Sequence, residues 1–262
     1  MQLALWDFPP ADALEAAAQR LPFEVERRSG AVCLELAQAQ QVDVALVPVI
    51  HALMAVDDLQ LIPGGAVSTW AYPFIRIKLK HGLSCVSSLK VSSDYVQESF
   101  MARIILKEHY GQDVTIVPEG PADAHLLTGN ASLALSDDPR ALDLGQEWYE
   151  MAQYPMVWAL YVCARETATP AMVDAIISLT KEAEIVAHEW GERSGSETNH
   201  FWAGSLRLRL DDVAMAGLTS IRDYLYYFGV TDELALLPLY ESPEVPVSET
   251  IPGWAQESWN AP

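Results

Sequence analysis

The hydrophobic positions of the chain follow two alternating periods. Residues 3–6 and 42–49 are short apolar runs typical of buried strands, and residues 23–27 alternate apolar with polar side chains as a half-buried strand does. Residues 9–20 and 170–190 instead carry apolar side chains at helical spacing. Strands that alternate with helices in this way predict an α/β fold with mainly parallel sheets.

Two long β-prone segments, residues 68–80 and 154–164, flank the middle of the chain. Because the region between them is rich in strand–helix–strand patterns, we predict two lobes joined by two crossing strands, with a ligand cleft where the lobes meet. The predicted units are lobe I, residues 1–80 with 165–240; lobe II, residues 81–164; and a C-terminal tail, residues 241–262.

The pattern is less regular between the two crossing segments. Asp94 stands at the N-cap position of a long predicted helix, with a polar residue at the capping-box spacing. We expect a short helix over residues 121–127 and a strand over residues 132–135. Gly64 and Gly65 are expected to break the chain as a turn.

The charge of the chain narrows the possible partners. Acidic residues outnumber basic ones 36 to 16 among 262 residues, which gives a net charge of -20. Such a surface repels phosphate backbones and anionic membranes, so we expect no nucleic-acid partner and no membrane partner. Half of the residues are hydrophobic, yet no apolar run reaches the roughly 18–20 residues that a membrane helix needs.

The cysteines and the N-terminal pattern indicate a cytoplasmic protein. Cys33, Cys85 and Cys163 are odd in number and lie among apolar residues, so we expect buried, reduced thiols. The N-terminus has neither a basic region nor a cleavage site, and we expect no signal peptide. No metal-binding or phosphate-binding motif occurs, and the helical pair His188 and Glu192 is typical of a solvated surface, so we expect no metal and no cofactor.

Ligands in open α/β sheets bind beyond the carboxyl ends of strands, which singles out a set of candidate site residues. The set comprises Asp7 and Phe8 after the first strand; Ser68, Thr69 and Trp70 at the first crossing segment; Tyr95 and Ser99 at a helix start; Ser136 and Asp137 after residues 132–135; and Met156 and Trp158 in the second crossing segment. Alternatives stay open, because Asp7 and Asp137 also suit helix caps, and Trp70 and Trp158 also suit core packing.

Four stretches of the sequence resemble the chorismate dehydratase family of the futalosine route to menaquinone. They are VDVALVPVI (42–50), VQESFMARIILKEHYG (96–111), LALSDDPRALDLGQEWYEMAQYPMVWALYVCAR (133–165) and LRLRLDDVAMAGLTSIRDYLYYFGV (206–230). The resemblance implies a type II periplasmic-binding-protein-like fold used as a cytoplasmic enzyme without a cofactor. A related enzyme of the same route, which acts on cyclic dehypoxanthinyl futalosine, shares that fold and is an open alternative.

This sequence departs from that family at two functional places. Family members follow the first strand with a Ser-Tyr-Leu-Asn type loop whose Asn assists catalysis, whereas residues 7–10 here are Asp-Phe-Pro-Pro. Pro10 therefore takes the place of the Asn, and its side chain has no donor or acceptor. The helix start that holds a substrate carboxylate corresponds to residues 94–99, where only Ser99 has an aliphatic hydroxyl and where Asp94 and Glu98 would repel a dianion.

Two functions follow as hypotheses. The first is a chorismate dehydratase-like lyase that removes the 4-hydroxyl of chorismate as water and gives 3-[(1-carboxyvinyl)oxy]benzoate, with Asp7 as the base. The second is a diverged, non-catalytic protein that binds a small, less anionic, aromatic ligand. Its cleft is lined by Trp70, Tyr72, Tyr95 and Trp158. Either way we expect a small carboxylic or aromatic molecule as the partner and a monomer or homodimer as the assembly.

Overall fold

The computed structural model describes residues 1–92, 95–193, 198–234 and 236–241. The strands in chain order are β1 (Gln2–Trp6), β2 (Glu24–Arg28), β3 (Val44–Pro48), β4 (Leu59–Thr69), β5 (Ile75–Leu79), β6 (Ser88–Lys90), β7 (Thr115–Val117), β8 (Ala124–Thr128), β9 (Ala141–Asp143), β10 (Met156–Ala164) and β11 (Leu206–Arg207). The helices are α1 (Ala11–Ala18), α2 (Gly30–Gln38), α3 (Val49–Met54), α4 (Val96–Ile104), α5 (Gly129–Leu133), α6 (Leu144–Ala152), α7 (Pro170–Gly191) and α8 (Asp212–Tyr227).

Two separate sheets define the two lobes. The sheet of lobe I has the order β11–β4–β10–β3–β1–β2, and the sheet of lobe II has the order β7–β6–β8–β5–β9. The two-lobe α/β architecture expected from the sequence is therefore confirmed. Both sheets are mixed and not mainly parallel: β10 runs antiparallel to β3 and β4, and β5 runs antiparallel to β8 and β9. In the first sheet the reason is that β10 returns from lobe II and enters the sheet in the opposite direction.

The chain crosses between the lobes twice. Residues 70–74 join β4 to β5, within the first predicted crossing segment, and residues 144–155, which include α6, lead back from β9 to β10. The second predicted crossing segment, residues 154–164, is instead almost all β10, which lies inside the first sheet with all nine residues buried. A central strand covered on both faces has the same continuous apolar pattern as a crossing strand, which explains the difference.

One carboxylate holds the two crossings together. Asp143 caps α6 by accepting hydrogen bonds from the backbone N–H groups of Gly145 and Gln146, each at 3.0 Å, and the same oxygen accepts from the N–H of Tyr72 at 2.7 Å. The segments approach so closely that a Cβ on Gly145 would lie 2.8 Å from the Tyr72 nitrogen. Glycine is therefore required at this position, and the base of the cleft between the lobes is fixed by backbone contacts.

Four local predictions were wrong, and tertiary contacts explain the first three. Residues 124–128 form β8 and not a helix, because they pair with β5 and β6, and residues 129–133 form α5 and not a strand. β4 runs through Gly64 and Gly65 without a turn, because both glycines let the strand pass close to side chains of α7. Cys85 is exposed, whereas Cys33 and Cys163 are buried as expected.

Several helix boundaries agree with the sequence pattern. Thr169 caps α7 with Pro170 at its first turn, and Asp211 caps α8 through the N–H of Ala214. The helix expected after Asp94 is α4, and it continues as a π-type turn over Ile105–His109. Asp94 itself and residues 242–262 of the predicted tail lie outside the described residues. None of the described helices is long and apolar enough to cross a membrane.

Candidate functional site

A cavity of about 560 Å³ lies between the two lobes. Lobe I contributes the segments that follow the carboxyl ends of β1, β2 and β3, and lobe II contributes the start of α4 and the junction of β8 with α5. The first crossing supplies the remaining wall. The lining residues are Trp6, Asp7, Phe8, Pro9, Ser29, Gly30, Ala31, Pro48, His51, Tyr72, Phe74, Ile75, Tyr95, Val96, Gln97, Glu98, Thr128 and Gly129.

Aromatic rings form much of the cavity wall. Trp6 and Phe8 stack with their ring centroids 4.1 Å apart and their planes 10° apart. Tyr72 packs against the buried Trp158 at 4.3 Å and edge-on to Phe74 at 5.5 Å. A cavity of this size with rigid aromatic walls fits a small ring compound, whose faces can pack against the wall.

Two helices begin at the cavity. α2 starts at Gly30 after Ser29, whose hydroxyl caps the N–H of Val32, and α4 starts at Val96. The first backbone N–H groups of a helix have no partner within the helix and carry partial positive charge, so they bind anionic groups. The cavity can therefore hold an organic acid although the protein is strongly acidic overall.

Gln97 fastens the start of α4 to lobe I. Its amide oxygen accepts a hydrogen bond from the N–H of Ile50 in α3 at 3.2 Å, and its amide nitrogen donates to the carbonyl oxygen of Trp158 in β10 at 3.0 Å. The side chain is buried, so both hydrogen bonds are shielded from water. They fix the distance between the two lobes at this side of the cavity.

Glu98 brings a carboxyl group into the cavity wall. It lies in the first turn of α4 and is only 5% exposed. Burial disfavours the charged form and raises the pKa of Glu98 to about 7. Because a large fraction of the group is then neutral near pH 7, the repulsion of an anionic ligand that the sequence suggested is much weaker.

Asp7 presents a second carboxyl group in a contrasting environment. Its side chain is 68% exposed at the cavity mouth and forms an ion pair with Arg27, with 2.6 Å between Oδ1 and Nη2. Arg27 also pairs with Asp12 and Glu15. Asp7 does not cap the following helix, because the N-cap of α1 is Pro10, which makes no side-chain hydrogen bond. The cap alternative for Asp7 is therefore not realised, and its carboxylate is free to face a ligand.

His51 and Tyr95 complete the polar lining. Burial lowers the pKa of His51, whose imidazole is therefore neutral at pH 7 and above, and its Nδ1 has no hydrogen-bond partner among the described residues. The Tyr95 hydroxyl oxygen accepts a hydrogen bond from the hydroxyl of Thr128 at 2.9 Å, which links α4 to the end of β8. Neutral polar groups such as these can orient the hydroxyl or ether oxygens of a ligand.

Four of the sequence-predicted site residues line the cavity: Asp7, Phe8, Tyr72 and Tyr95. Four others are buried in the first sheet beside the cavity: Ser68, Thr69, Met156 and Trp158. The indole N–H of Trp158 donates to the Thr69 hydroxyl at 2.8 Å, so this pair supports the ring of Tyr72 from behind. These four residues lie outside the lining.

The remaining predicted site residues are further away. Trp70 packs edge-on against Tyr149 at 4.9 Å and below the guanidinium of Arg207, outside the lining. Ser99 lies one residue beyond Glu98 on α4, half-buried, and does not line the cavity. Ser136 and Asp137 are exposed in the turn after α5, because that segment is a helix and not the expected strand.

The sequence reasoning missed several lining residues at the carboxyl ends of β2 and β3, such as Gly30 and His51. The rule that ligands bind beyond strand ends points to both places, since these strands are visible in the hydrophobic pattern. Gln97 and Glu98 lie in the helix start that was selected, but no sequence signal shows that their side chains are buried.

One group of metal-ligating side chains occurs in the described part of the chain, and it lies away from the cavity. Ligand atoms of His109, Glu147 and Glu150 all lie within 4.8 Å of one another. Glu147 already accepts a hydrogen bond from the Tyr110 hydroxyl. The residues around the cavity include no comparable set. His188 and Glu192, as expected, form an exposed pair on α7, with 3.6 Å between Nδ1 and Oε1.

A protein-family model described as menaquinone biosynthesis matches residues 4–227. The chain belongs to this menaquinone biosynthesis family. The match confirms the resemblance seen in the sequence. No curated protein sequence shows a significant match to the chain.

Solved structures show which fold this family member has. The alkanesulfonate-binding protein SsuA from Xanthomonas axonopodis pv. citri, bound to MOPS, is 13% identical with a TM-score of 0.64 over 92% of this chain and 97% of that one. Protein AF1704 from Archaeoglobus fulgidus is 14% identical with a TM-score of 0.62 over 88% and 98%. The CA3427 product of Candida albicans, described as having the generic periplasmic binding protein fold, is 11% identical with a TM-score of 0.57 over 89% and 91%. The two-lobe periplasmic-binding-protein-like fold is thus confirmed.

Proposed function

We propose that this member of the menaquinone biosynthesis family is a chorismate dehydratase-type lyase, which converts chorismate to 3-[(1-carboxyvinyl)oxy]benzoate and water. The observation that carries the proposal is the position of Asp7, whose carboxyl group stands at the mouth of an aromatic cavity between the lobes. The family assignment supplies the pathway. Fold likeness to binding proteins supplies no chemistry by itself.

The reaction requires orientation and proton transfer. Asp7 takes the proton from C3 of the ring, the electrons of that C–H bond form the new ring double bond, and the bond between C4 and its hydroxyl oxygen breaks. The ring becomes aromatic, which provides the driving force, so a weak base that is well placed is sufficient. The stacked rings of Trp6 and Phe8 beside Asp7 offer a surface for the substrate ring.

Polar groups of the cavity wall can recognise the substrate. The unpaired N–H groups at the starts of α2 and α4 are suited to carboxylates of chorismate. The neutral side chains of His51 and Tyr95 are suited to its hydroxyl and ether oxygens. No step needs a metal, a nucleotide or a redox group, and we propose that the enzyme works in the cytoplasm without a cofactor.

One observation favours a second candidate, a binding protein without catalysis. Pro10 occupies the place where the resemblance implies an assisting Asn, and it is buried as the N-cap of α1. A two-lobe cavity that keeps its helix starts but loses this group would still bind a small aromatic acid. The binding function named for SsuA, a protein of this fold, is consistent with that use.

The test is incubation of the purified chain with chorismate alone. The proposed lyase removes the ultraviolet absorbance of the chorismate diene and yields a product lighter by one water, which mass spectrometry identifies. Chorismate recovered unchanged would contradict the lyase. If aromatic or enolpyruvyl acids then raise the melting temperature without being converted, the binding-protein candidate replaces it.

A further inference from the structure

The carboxyl group of Glu98 is buried without a compensating cation. It is 5% exposed in the first turn of α4, and among the described residues its side chain makes no ion pair and no hydrogen bond to another side chain. Its carboxyl group accepts a hydrogen bond from its own backbone N–H. Arg27, which pairs with Asp7 at the cavity mouth, is shared by Asp7, Asp12 and Glu15 and forms no ion pair with Glu98. The loss of hydration on burial outweighs this one backbone hydrogen bond, so the carboxyl group is stabilised by keeping its proton.

The other titratable groups of the cavity do not change this conclusion. Asp7 faces the cavity from the loop after β1, His51 from α3, Tyr72 from the first crossing and Tyr95 from the start of α4. Burial keeps the imidazole of His51 neutral and the phenol of Tyr72 protonated, since it lowers the pKa of the first and raises that of the second. None of the four supplies a positive charge to Glu98.

We infer that Glu98 is a further catalytic residue of the cavity, the acid that gives its proton to the oxygen that leaves the substrate. This inference rests on the proposed function. Asp7 and Glu98 line one cavity from opposite lobes, so the two carboxyl groups can approach a bound ring from its two ends. The C3 proton and the C4 hydroxyl of chorismate lie on the same face of the ring, and both groups act on that face. Where the resemblance implies a Ser/Thr-rich helix start, this chain thus uses a carboxylic acid.

The proton balance of the step closes within these two side chains. The bond between C4 and oxygen breaks with its electron pair on the oxygen, which takes the proton of Glu98 and leaves as water. Asp7 receives the proton of C3. One turnover therefore leaves Asp7 protonated and Glu98 ionised, and exchange with water restores both groups.

The first test is the pH dependence of chorismate turnover in the wild type, Glu98→Gln and the matched control Glu108→Gln, whose side chain is exposed further along the same helical segment. An amide cannot give a proton, so Glu98→Gln is expected to lower kcat about 100- to 10,000-fold. The wild type and the control should both lose rate as the pH rises through about 7, the pKa of Glu98. A Glu98→Gln rate close to that of the wild type, or one with the same high-pH decline, would overturn the inference.

A second measurement separates this inference from the proposed function. The measurement is isothermal titration calorimetry with 3-hydroxybenzoate at a pH one unit above the pKa of Glu98. Repeating it in buffers of different ionisation enthalpy gives the number of protons that the protein takes up when the ligand binds. Uptake by the wild type and the control but not by Glu98→Gln identifies Glu98 as the proton holder of the cavity. If chorismate is then not converted, the lyase proposal and the transfer to its leaving oxygen fail, whereas the assignment of the proton to Glu98 stands. Absence of uptake in the wild type, equal uptake in Glu98→Gln, or no binding overturns the inference.

Discussion

The two carboxyl groups of the cavity, Asp7 in lobe I and Glu98 in lobe II, occupy opposite environments. Asp7 is largely exposed and forms an ion pair with Arg27 at the cavity mouth. Glu98 is buried in the first turn of α4 with no cation beside it, which favours the neutral acid. A cavity shared between two lobes can therefore present a proton acceptor and a proton donor of the same chemical type at the same pH.

The comparison shows that the surroundings, and not the residue type, decide the role of each group. Asp7 follows a strand end, where the chain is open to solvent and a neighbouring strand brings in Arg27. Glu98 is covered because Gln97 pulls the start of α4 against lobe I.

Removing the charge of Asp7 should give the largest effect. We expect Asp7→Asn to lower chorismate turnover about 100- to 10,000-fold, because an amide cannot accept the proton of C3. Asp12→Asn is the matched control, since Asp12 also pairs with Arg27 but lies outside the cavity lining. If Asp7→Asn keeps the wild-type rate, Asp7 has no part in the reaction.

Replacing Glu98 should change how stability depends on pH. The folded chain holds the Glu98 proton with a pKa of about 7, against 4.5 for an ordinary glutamate, so its contribution to stability is complete below pH 4.5 and is lost as the pH rises through about 7. In the wild type this loss amounts to about 3 kcal/mol in the free energy of unfolding between pH 4.5 and about 7. Glu98→Gln should not show it. Urea denaturation of the wild type, Glu98→Gln and Glu108→Gln at a series of pH values measures it, and parallel curves for all three would refute the assigned environment of Glu98.

Removing Arg27, the ion-pair partner of Asp7, should give the smallest effect. Arg27→Met leaves three neighbouring carboxylates without their cation, and we expect a loss of about 1 kcal/mol in stability. Turnover should fall only a few-fold, because Asp7 keeps its place but loses its orienting partner. Arg28→Met, which removes a separate pair with Glu26, is the control. A stability equal to that of the control would show that Arg27 does not hold Asp7.

Much of the fold follows from local sequence signals. The apolar runs of β1 and β3 and the caps Ser29, Thr169 and Asp211 mark their elements because each signal acts within a few residues. The signals fail over residues 121–135, where pairing with β5 and β6 decides that the chain is β8 followed by α5. They also fail for β10, whose apolar pattern shows burial but not the sheet to which it belongs.

The site is predictable only in part for a related reason. The strand-end rule finds Asp7 and Phe8, because their position depends on one strand alone. The sequence shows Glu98 only as an acidic residue, since its burial depends on the packing of α4 in lobe II against lobe I. His51 is missed because its helix, α3, has no clear signal in the six residues that form it.

The contrast between the two carboxyl groups is tested most directly by carbon-13 NMR of the glutamate side chains, with the Glu98 signal assigned from its absence in Glu98→Gln. This contrast predicts a Glu98 carboxyl that titrates with a midpoint of about 7 in the ligand-free protein. A midpoint near 4.5, the ordinary value for glutamate, would contradict it.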